Sequence, residues 1–376
     1  MACEQLTRLG DVIELEDVKR EPISSRDRKD RKGSYPYYGA QGIVDYLDDY
    51  TYEGDYLLVA EDGENLRSRK NPIANAASGK FRVNNHAHVI AESEKCNLVF
   101  LRHLLNMTDI SAYVTGSTQP KLSQSNLCAM KLPLPSMAEQ NAIANVLSLF
   151  DRKIELNNQL NDYLEQLVDG KFQELFGGLN FNATLSDVAE ITMGQSPAGS
   201  SYNEEGAGII FYQGRGEFGW RFPKRRLYTT EPKRLACEGD VLMSVRAPVG
   251  DLNVAFENCC IGRGLAAIHS ETPSFALYLM RFLKPQLEAY NGEGTVFGSI
   301  NGKALKSLEV ALPSHNEVMQ FESFAAPIDA LIRSNENETR KLNNLRNYLL
   351  PKLMSGEIDV SKVDLTQLTN NHLADY

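Results

Sequence analysis

The segment from Gly116 to Gly178 recurs without a gap as Gly294 to Gly356. The run GSTQPKLSQSNLCAMKLPLPS lies over GTVFGSINGKALKSLEVALPS. One interval of 178 residues then separates Pro135 from Pro313, Asp151 from Asp329, Ile154 from Ile332, Asn157 from Asn335, Leu164 from Leu342 and Leu167 from Leu345. The chain is a tandem duplication, and its fold must be one that can be used twice.

After the Leu-Pro-Ser junction each copy predicts one long helix. Apolar residues recur at heptad-like spacing, as Ile143, Leu147, Phe150, Ile154, Leu164 and Val168 in the first copy and as Phe321, Ala325, Ile328, Ile332, Leu342 and Leu349 in the second. That pattern is a coiled-coil seam, and antiparallel pairing of the two helices is the simplest way to bury both stripes. Asn157 and Asn335 fall on the seam at equivalent places, where a polar residue costs stability but fixes register; the alternative is that each faces solvent. About 40 helical residues at 1.5 Å rise give a rod of roughly 60 Å, the length of a spacer.

The expected organisation is α+β, with two mainly β globular units in tandem and two long antiparallel helices separating them. The boundaries are 1–135 for the first unit, 136–178 for the central helix, 179–312 for the second unit, 313–356 for the distal helix and 357–376 for a short polar tail expected to pack weakly. No apolar run is long enough to span a bilayer, and the start MACEQLTRLGD lacks a signal-peptide layout, so the expectation is a cytoplasmic protein without a membrane partner. Six cysteines show no paired spacing and no CxxC, which implies neither a disulfide framework nor a zinc knuckle. His86 and His88 could share a strand face, but no third metal ligand is near in sequence.

A net charge of −10 argues at first against a polyanionic partner. The acid is not evenly spread, however. Residues 136–176 carry 3 basic against 7 acidic side chains, whereas 177–312 carry 13 against 14. Basic residues gather in each globular unit: Lys19 to Lys32 in the first, close to Tyr35, Tyr37, Tyr38 and Gln41, and Arg215 to Arg234 around the single Trp220 in the second. Basic side chains interleaved with aromatics and amides supply phosphate contacts, stacking surfaces and base readers together, although such runs are also ordinary solvated faces and the tyrosines could simply pack a small core. Glu53-Gly54-Asp55 and Glu238-Gly239-Asp240 each precede an apolar strand, which makes the glycine-aspartate turn an architectural part of the repeat.

Catalytic patterns do not survive inspection. The GxGxxG from Gly214 runs into Trp220-Arg221-Phe222-Pro223 instead of a helix, the P-loop-like stretch from Gly298 is one residue short, and Pro197 spoils the nucleophile elbow near Gly194. No Asn/Asp-Pro-Pro-aromatic tetrapeptide of an adenine methyltransferase is present, and Glu231-Pro232-Lys233 has no partner aspartate at a nuclease's spacing. The chain reads as non-catalytic.

Two globular units, each followed by a long helix, resemble the specificity subunit of type I restriction-modification systems over essentially the whole chain. The resemblance rests on PYYGAQGIVDYLDDYTYEGDYLLVAEDG from Pro36 and on GQSPAGSSYNEEG, FYQGRGEFG, SVRAPVGDLN and CIGRGLAAI in the second unit. The LPLPS-to-helix junction and the terminal LLPKLMSGEIDV add to it. It implies two target-recognition domains, each docking one half of an asymmetric, bipartite site in double-stranded DNA. The helices would set the unread spacer and dock two methyltransferase subunits. Those partners would bring S-adenosylmethionine and methylate adenine N6, and restriction/translocase subunits using ATP with magnesium would act at unmethylated sites in phage defence. This chain itself would hold no cofactor and no metal. The alternative is a non-DNA adaptor or scaffold protein that binds partners through its acidic helices.

By residue type and loop position, the expected DNA contacts in the first unit are Arg26, Arg28, Lys29, Tyr38, Gln41, Arg67, Arg69 and Lys70. In the second they are Gln213, Arg215, Trp220, Arg221, Lys224, Arg225 and Arg226. Gln119, Lys121 and Lys303 in the repeated loops complete the set.

Overall fold

In the computed structural model, residues 6–292 and 298–360 are described. The first residues of the second repeat copy, from Gly294, and the tail beyond 360 lie outside the described residues. The central helix spans Met137–Phe176 and the distal helix His315–Met354, each of 40 residues. Both begin on the same device. The Ser136 hydroxyl and amide donate to Glu139 at 2.7 and 3.0 Å, and those of Ser314 donate to Glu317 at 2.7 and 2.8 Å. Each serine thus caps a helix whose third residue reaches back to it.

The chain packs as two compact units. One is built from residues up to Leu156 together with those from Thr339 onward, and the other from Asn157 to Glu338. The five sequential segments are therefore not the packing units, because each unit takes one globular segment and half of each long helix. In the first unit Ile143, Leu147 and Phe150 share a core with Leu342 and Leu353. In the second, Val168, Phe172 and Phe176 share one with Phe321 and Ala325, the Phe172 and Phe321 rings 5.3 Å apart. Early residues of one helix meet late residues of the other in both units, so the helix segments pair antiparallel.

Asn157 and Asn335 are buried on this seam, inside the second unit. Asn335 Nδ2 donates to Asn161 Oδ1 at 2.8 Å, and Asn157 Nδ2 donates to Glu338 Oε2 at 2.8 Å. Asn335→Ala strips a buried partner from Asn161 and should lower stability by about 1–3 kcal/mol in chemical denaturation. An unchanged midpoint would mean that water, not Asn335, satisfies Asn161.

The first unit holds a six-stranded sheet in the spatial order Glu14–Leu15, Ala87–Ala91, Tyr52–Ala60, Ala74–Val83, Lys32–Gly39, Gly42–Leu47. Alternation along its central strand sends Leu57 and Val59 towards the helix Leu98–Met107 and its core, while Leu58 joins Tyr52, Phe81 and Val89 on the other face. In the second unit the corresponding strands form a four-stranded and a five-stranded sheet. The duplication extends well beyond the repeated block. Leu15 pairs with Ile90 as Ile191 pairs with Ile268, and the parallel pair Tyr37–Arg82, Tyr38–Val83 returns as Phe211–Cys260, Tyr212–Ile261.

The glycine-aspartate turn differs between copies. Gly239 (φ +88°) turns the chain into the strand Val241–Ser244, as expected. Gly54 (φ +127°) instead lies within the strand Tyr52–Ala60, opposite Gly79 (φ +78°). Two facing glycines let that hairpin distort and continue. Among the described residues no helix is long and apolar enough to cross a membrane.

Candidate nucleic-acid interface

In the second unit, five loops converge where the two sheets meet. The Gly262 amide donates to the Tyr212 carbonyl at 2.8 Å, Gly264 to Gln213 at 3.3 Å, Val245 to Gly264 at 3.0 Å, Ile300 to Val245 at 3.1 Å and Gln195 to Ile261 at 3.0 Å. The glycines are there because backbones touch: a Cβ on Gly194 would stand 2.1 Å from the Gly262 carbonyl oxygen, and one on Gly262 would stand 2.8 Å from that of Gln213. Around this frame Gln195, Gln213, Arg215, Arg246, Arg263 and Lys303 are exposed. Arg246 stands two residues beyond the buried strand Val241–Ser244 and, like Arg263, makes no side-chain hydrogen bond or ion pair with any described residue.

The first unit builds the same frame and repeats three of these backbone bonds. The Asn84 amide donates to Tyr38 at 3.0 Å, Glu61 to His86 at 2.9 Å and Leu122 to Glu61 at 2.7 Å. Isolated bridges complete the match, Asp62 with Lys121 in one unit and Arg246 with Ser299 in the other. The frame is duplicated and the side chains on it are not. Where the second unit carries Arg246 and Gly264, the first carries Asp62 and His86, joined at 2.7 Å. Such rims offer hydrogen-bond donors and acceptors on rigid backbone, as base-edge reading requires.

Residues 5–166 and 182–347 each match the family model of the type I restriction modification DNA specificity domain. The chain belongs to this family of specificity subunits. It is 30% identical over 381 residues to the MjaX type I restriction enzyme specificity subunit of Methanocaldococcus jannaschii, covering 94% of this chain and 84% of that one. Over 139 residues it is 37% identical to the Haemophilus influenzae specificity subunit S.HindORF215P, covering 37% of this chain and 35% of the relative. The fold is shared with the crystal structure of a type I system S subunit from M. genitalium, at 18% identity and a TM-score of 0.61, over 93% of this chain and 95% of the other.

Within this specificity subunit the sequence-chosen residues separate into three groups. Arg221 does not offer a free side chain at the surface: it is 4% exposed and its guanidinium pairs with Glu165 at 3.0 Å and Asp329 at 3.1 Å. Arg69 is likewise a structural group, adopting φ +51° and donating to the carbonyls of Leu105 and Asn106 at the end of the Leu98–Met107 helix. Tyr38 is half-buried, edge-on to Phe81 at 5.5 Å, so the core-packing alternative holds for it. Arg28 lies over the Tyr37 ring and close to Asp45.

A second group is exposed but already paired. Arg215 meets Asp251 at 2.7 Å, Arg225 meets Glu257 at 2.6 Å and Arg226 meets Glu217 at 2.7 Å. Lys121 meets Glu61 at 3.1 Å, and Arg67 donates to the carbonyls of Gly116 and Ser117, holding the repeated loop. The third group, Arg26, Lys29, Gln41, Lys70, Gln119, Gln213, Lys224 and Lys303, is exposed without a described side-chain partner. Trp220 is partly exposed beside the Arg221 guanidinium.

Arg246, Arg263 and Gln195 are exposed residues of this rim that charge clustering in the sequence does not single out. They stand singly inside the SVRAPVGDLN, CIGRGLAAI and GQSPAGSS runs, where no cluster of basic residues draws attention. The histidines are committed elsewhere, His88 bonding to Asp17 at 2.7 Å as His86 does to Asp62. Cys237, Asp240 and His269 place three donor atoms within 4.8 Å of one another. Both Asp240 oxygens are in use there, one on His269 Nδ1 at 2.6 Å and one on the Cys237 amide at 2.8 Å. The hydrogen bond to Asp240 raises the His269 pKa.

Proposed function

We propose that each loop-rimmed face reads one half of an asymmetric, bipartite site in double-stranded DNA, and that the chain thereby directs adenine-N6 methylation and restriction by partner subunits. The observation that carries this reading is the duplicated frame bearing different side chains, Asp62 with His86 on one copy and Arg246 with Gly264 on the other. One architecture used twice with unlike readers suits two unlike half-sites. Acidic residues accept from cytosine N4 and arginine donates to guanine, so the two faces favour different bases. The 40-residue helices, roughly 60 Å long at 1.5 Å per residue, are long enough to separate half-sites by one duplex turn of ~34 Å.

The chemistry in this reading belongs to partners: two methyltransferase subunits supplying S-adenosylmethionine, and restriction/translocase subunits supplying ATP and magnesium. A surface for the former lies on the central helix, where Leu160, Tyr163 and Leu167 are all exposed at helical spacing. Replacing Leu160, Tyr163 and Leu167 together with glutamate should weaken association with the methyltransferase at least tenfold in a pull-down titration. Thermal unfolding of the isolated chain should hardly move, since none of the three is buried.

The deciding experiment is to express the chain with its methyltransferase partner in a methylation-free host and to map N6-methyladenine by single-molecule sequencing. One asymmetric motif, two short half-sites around a fixed unread gap, is expected. Associated and expressed proteins that leave no motif would favour the adaptor reading.

A further inference from the structure

Asp151 and Asp329 occupy one position of the repeat, the first on the central helix and the second on the distal helix. Each sits partly buried where the globular segment of its own unit meets the helices. Asp151 accepts from Arg346 at 2.6 Å and bonds His103 Nε2 at 3.0 Å, with Arg102 on the same oxygen as His103. Asp329 accepts from Tyr278 at 3.1 Å and from Arg221 at 3.1 Å. His103 and Tyr278 lie on equivalent helices, Leu98–Met107 and Pro273–Phe282, so this half of the contact is duplicated.

The cations are not duplicated. The first unit draws Arg346 from the distal helix, while the second draws Arg221 from the recognition loop after Trp220. The same carboxylate has been retained in both copies although its charge partners now come from unrelated stretches of chain. A packing position would be satisfied by any apolar residue of the right volume, and a buried ion pair seldom stabilises more than such a replacement. What a multiply bonded carboxylate supplies instead is direction, because donors from separate elements must all converge on one small group. The central and distal helices each contribute to both units, and within each unit the carboxylate ties the globular segment to its helix segments.

We infer that Asp151 and Asp329 are positioning residues that fix how each recognition domain is carried on the helix pair, and so set the number of base pairs left unread between the half-sites. This rests on the bipartite reading above. The test uses the full chain with its methyltransferase partner and three duplexes that share both half-sites but differ in gap: the native length, one base pair shorter and one longer. Methyl transfer rates are compared for the parent, Asp151→Asn, Asp329→Asn and the milder His103→Gln and Tyr278→Phe, which keep the carboxylates and should fold if the asparagine variants do not.

The parent should prefer the native gap strongly, and the variants should lose on the order of tenfold of that preference, as small misplacements of bound groups do. If the variants merely lose active protein, all three rates fall by one factor and the ratio stays, which overturns the inference while leaving the bipartite reading intact. If the parent shows no gap preference at all, the bipartite reading itself fails.

Discussion

Arg221→Ala should destabilise the second unit by about 3–5 kcal/mol, the cost of removing one partner from a buried ionic group. The side chain is almost wholly enclosed, between the Trp220 and Tyr278 rings, and it neutralises Glu165 on the central helix and Asp329 on the distal helix at once. Burial opposes its charge, but Tyr278, Asp329 and Glu165 outweigh that and hold the guanidinium protonated. Alanine leaves two carboxylates facing each other's field with Arg281 alone to balance Glu165, at 2.8 Å. Arg221→Met fills the volume without the charge and should lose less. Lys224→Ala, three residues on and exposed, should move the midpoint by no more than about 0.5 kcal/mol. Urea unfolding followed by the fluorescence of Trp220, the single tryptophan, reads all three variants beside the site of change. Equal midpoints for the alanine variants at 221 and 224 would show that Arg221 does not tie the two helices together.

The contrast between Arg221 and Lys224 shows where the sequence stops being informative. Both belong to one run of basic residues, and composition treats them alike. Inside the fold, Arg221 turns towards the helices and Lys224 towards solvent, a choice made by Glu165 and Asp329, which are distant in sequence. The seam was legible because it is local: heptad spacing brought out Ile143, Leu147, Phe150, Phe321 and Ala325, all of them buried. The Ser136–Glu139 and Ser314–Glu317 caps carried an equally local signature in S-x-x-E that spacing could have revealed. Gly54 misled because its role depends on Gly79 across the strand pair. The reading frame was least visible of all, since its bonds join residues such as Val245 and Ile300, and Tyr212 and Gly262, far apart along the chain. Clusters of charge drew the eye to Arg225 and Arg226, which acidic neighbours already occupy, and away from Arg246 and Arg263.

The second large effect is therefore expected at those two arginines. Each is exposed, free of described partners and anchored on backbone that is itself hydrogen-bonded on both sides. A free guanidinium on rigid backbone gives up little order and breaks no ion pair when it meets DNA, whereas Arg225 must first leave Glu257. If Arg246 and Arg263 each make a bidentate contact to a base, worth about 1–3 kcal/mol, then Arg246→Ala with Arg263→Ala should reduce methylation of the native site by roughly 10²-fold or more. The loss should be confined to the second half-site. Base substitutions there, costly for the parent, should become nearly neutral in the variant, while substitutions in the first half-site keep their full effect. Contacts to phosphate would act differently, weakening all duplexes alike and lowering the slope of log affinity against log salt by about one for each cation lost. Measuring rates on a panel of half-site variants, with binding at several salt concentrations, separates the two roles. Arg225→Ala with Arg226→Ala is the control of equal charge, and it should cost far less, since those side chains have carboxylates to lose as well as DNA to gain. Equal losses from the two pairs would mean that free exposure on the rim does not mark the readers, and that net charge governs binding by this domain.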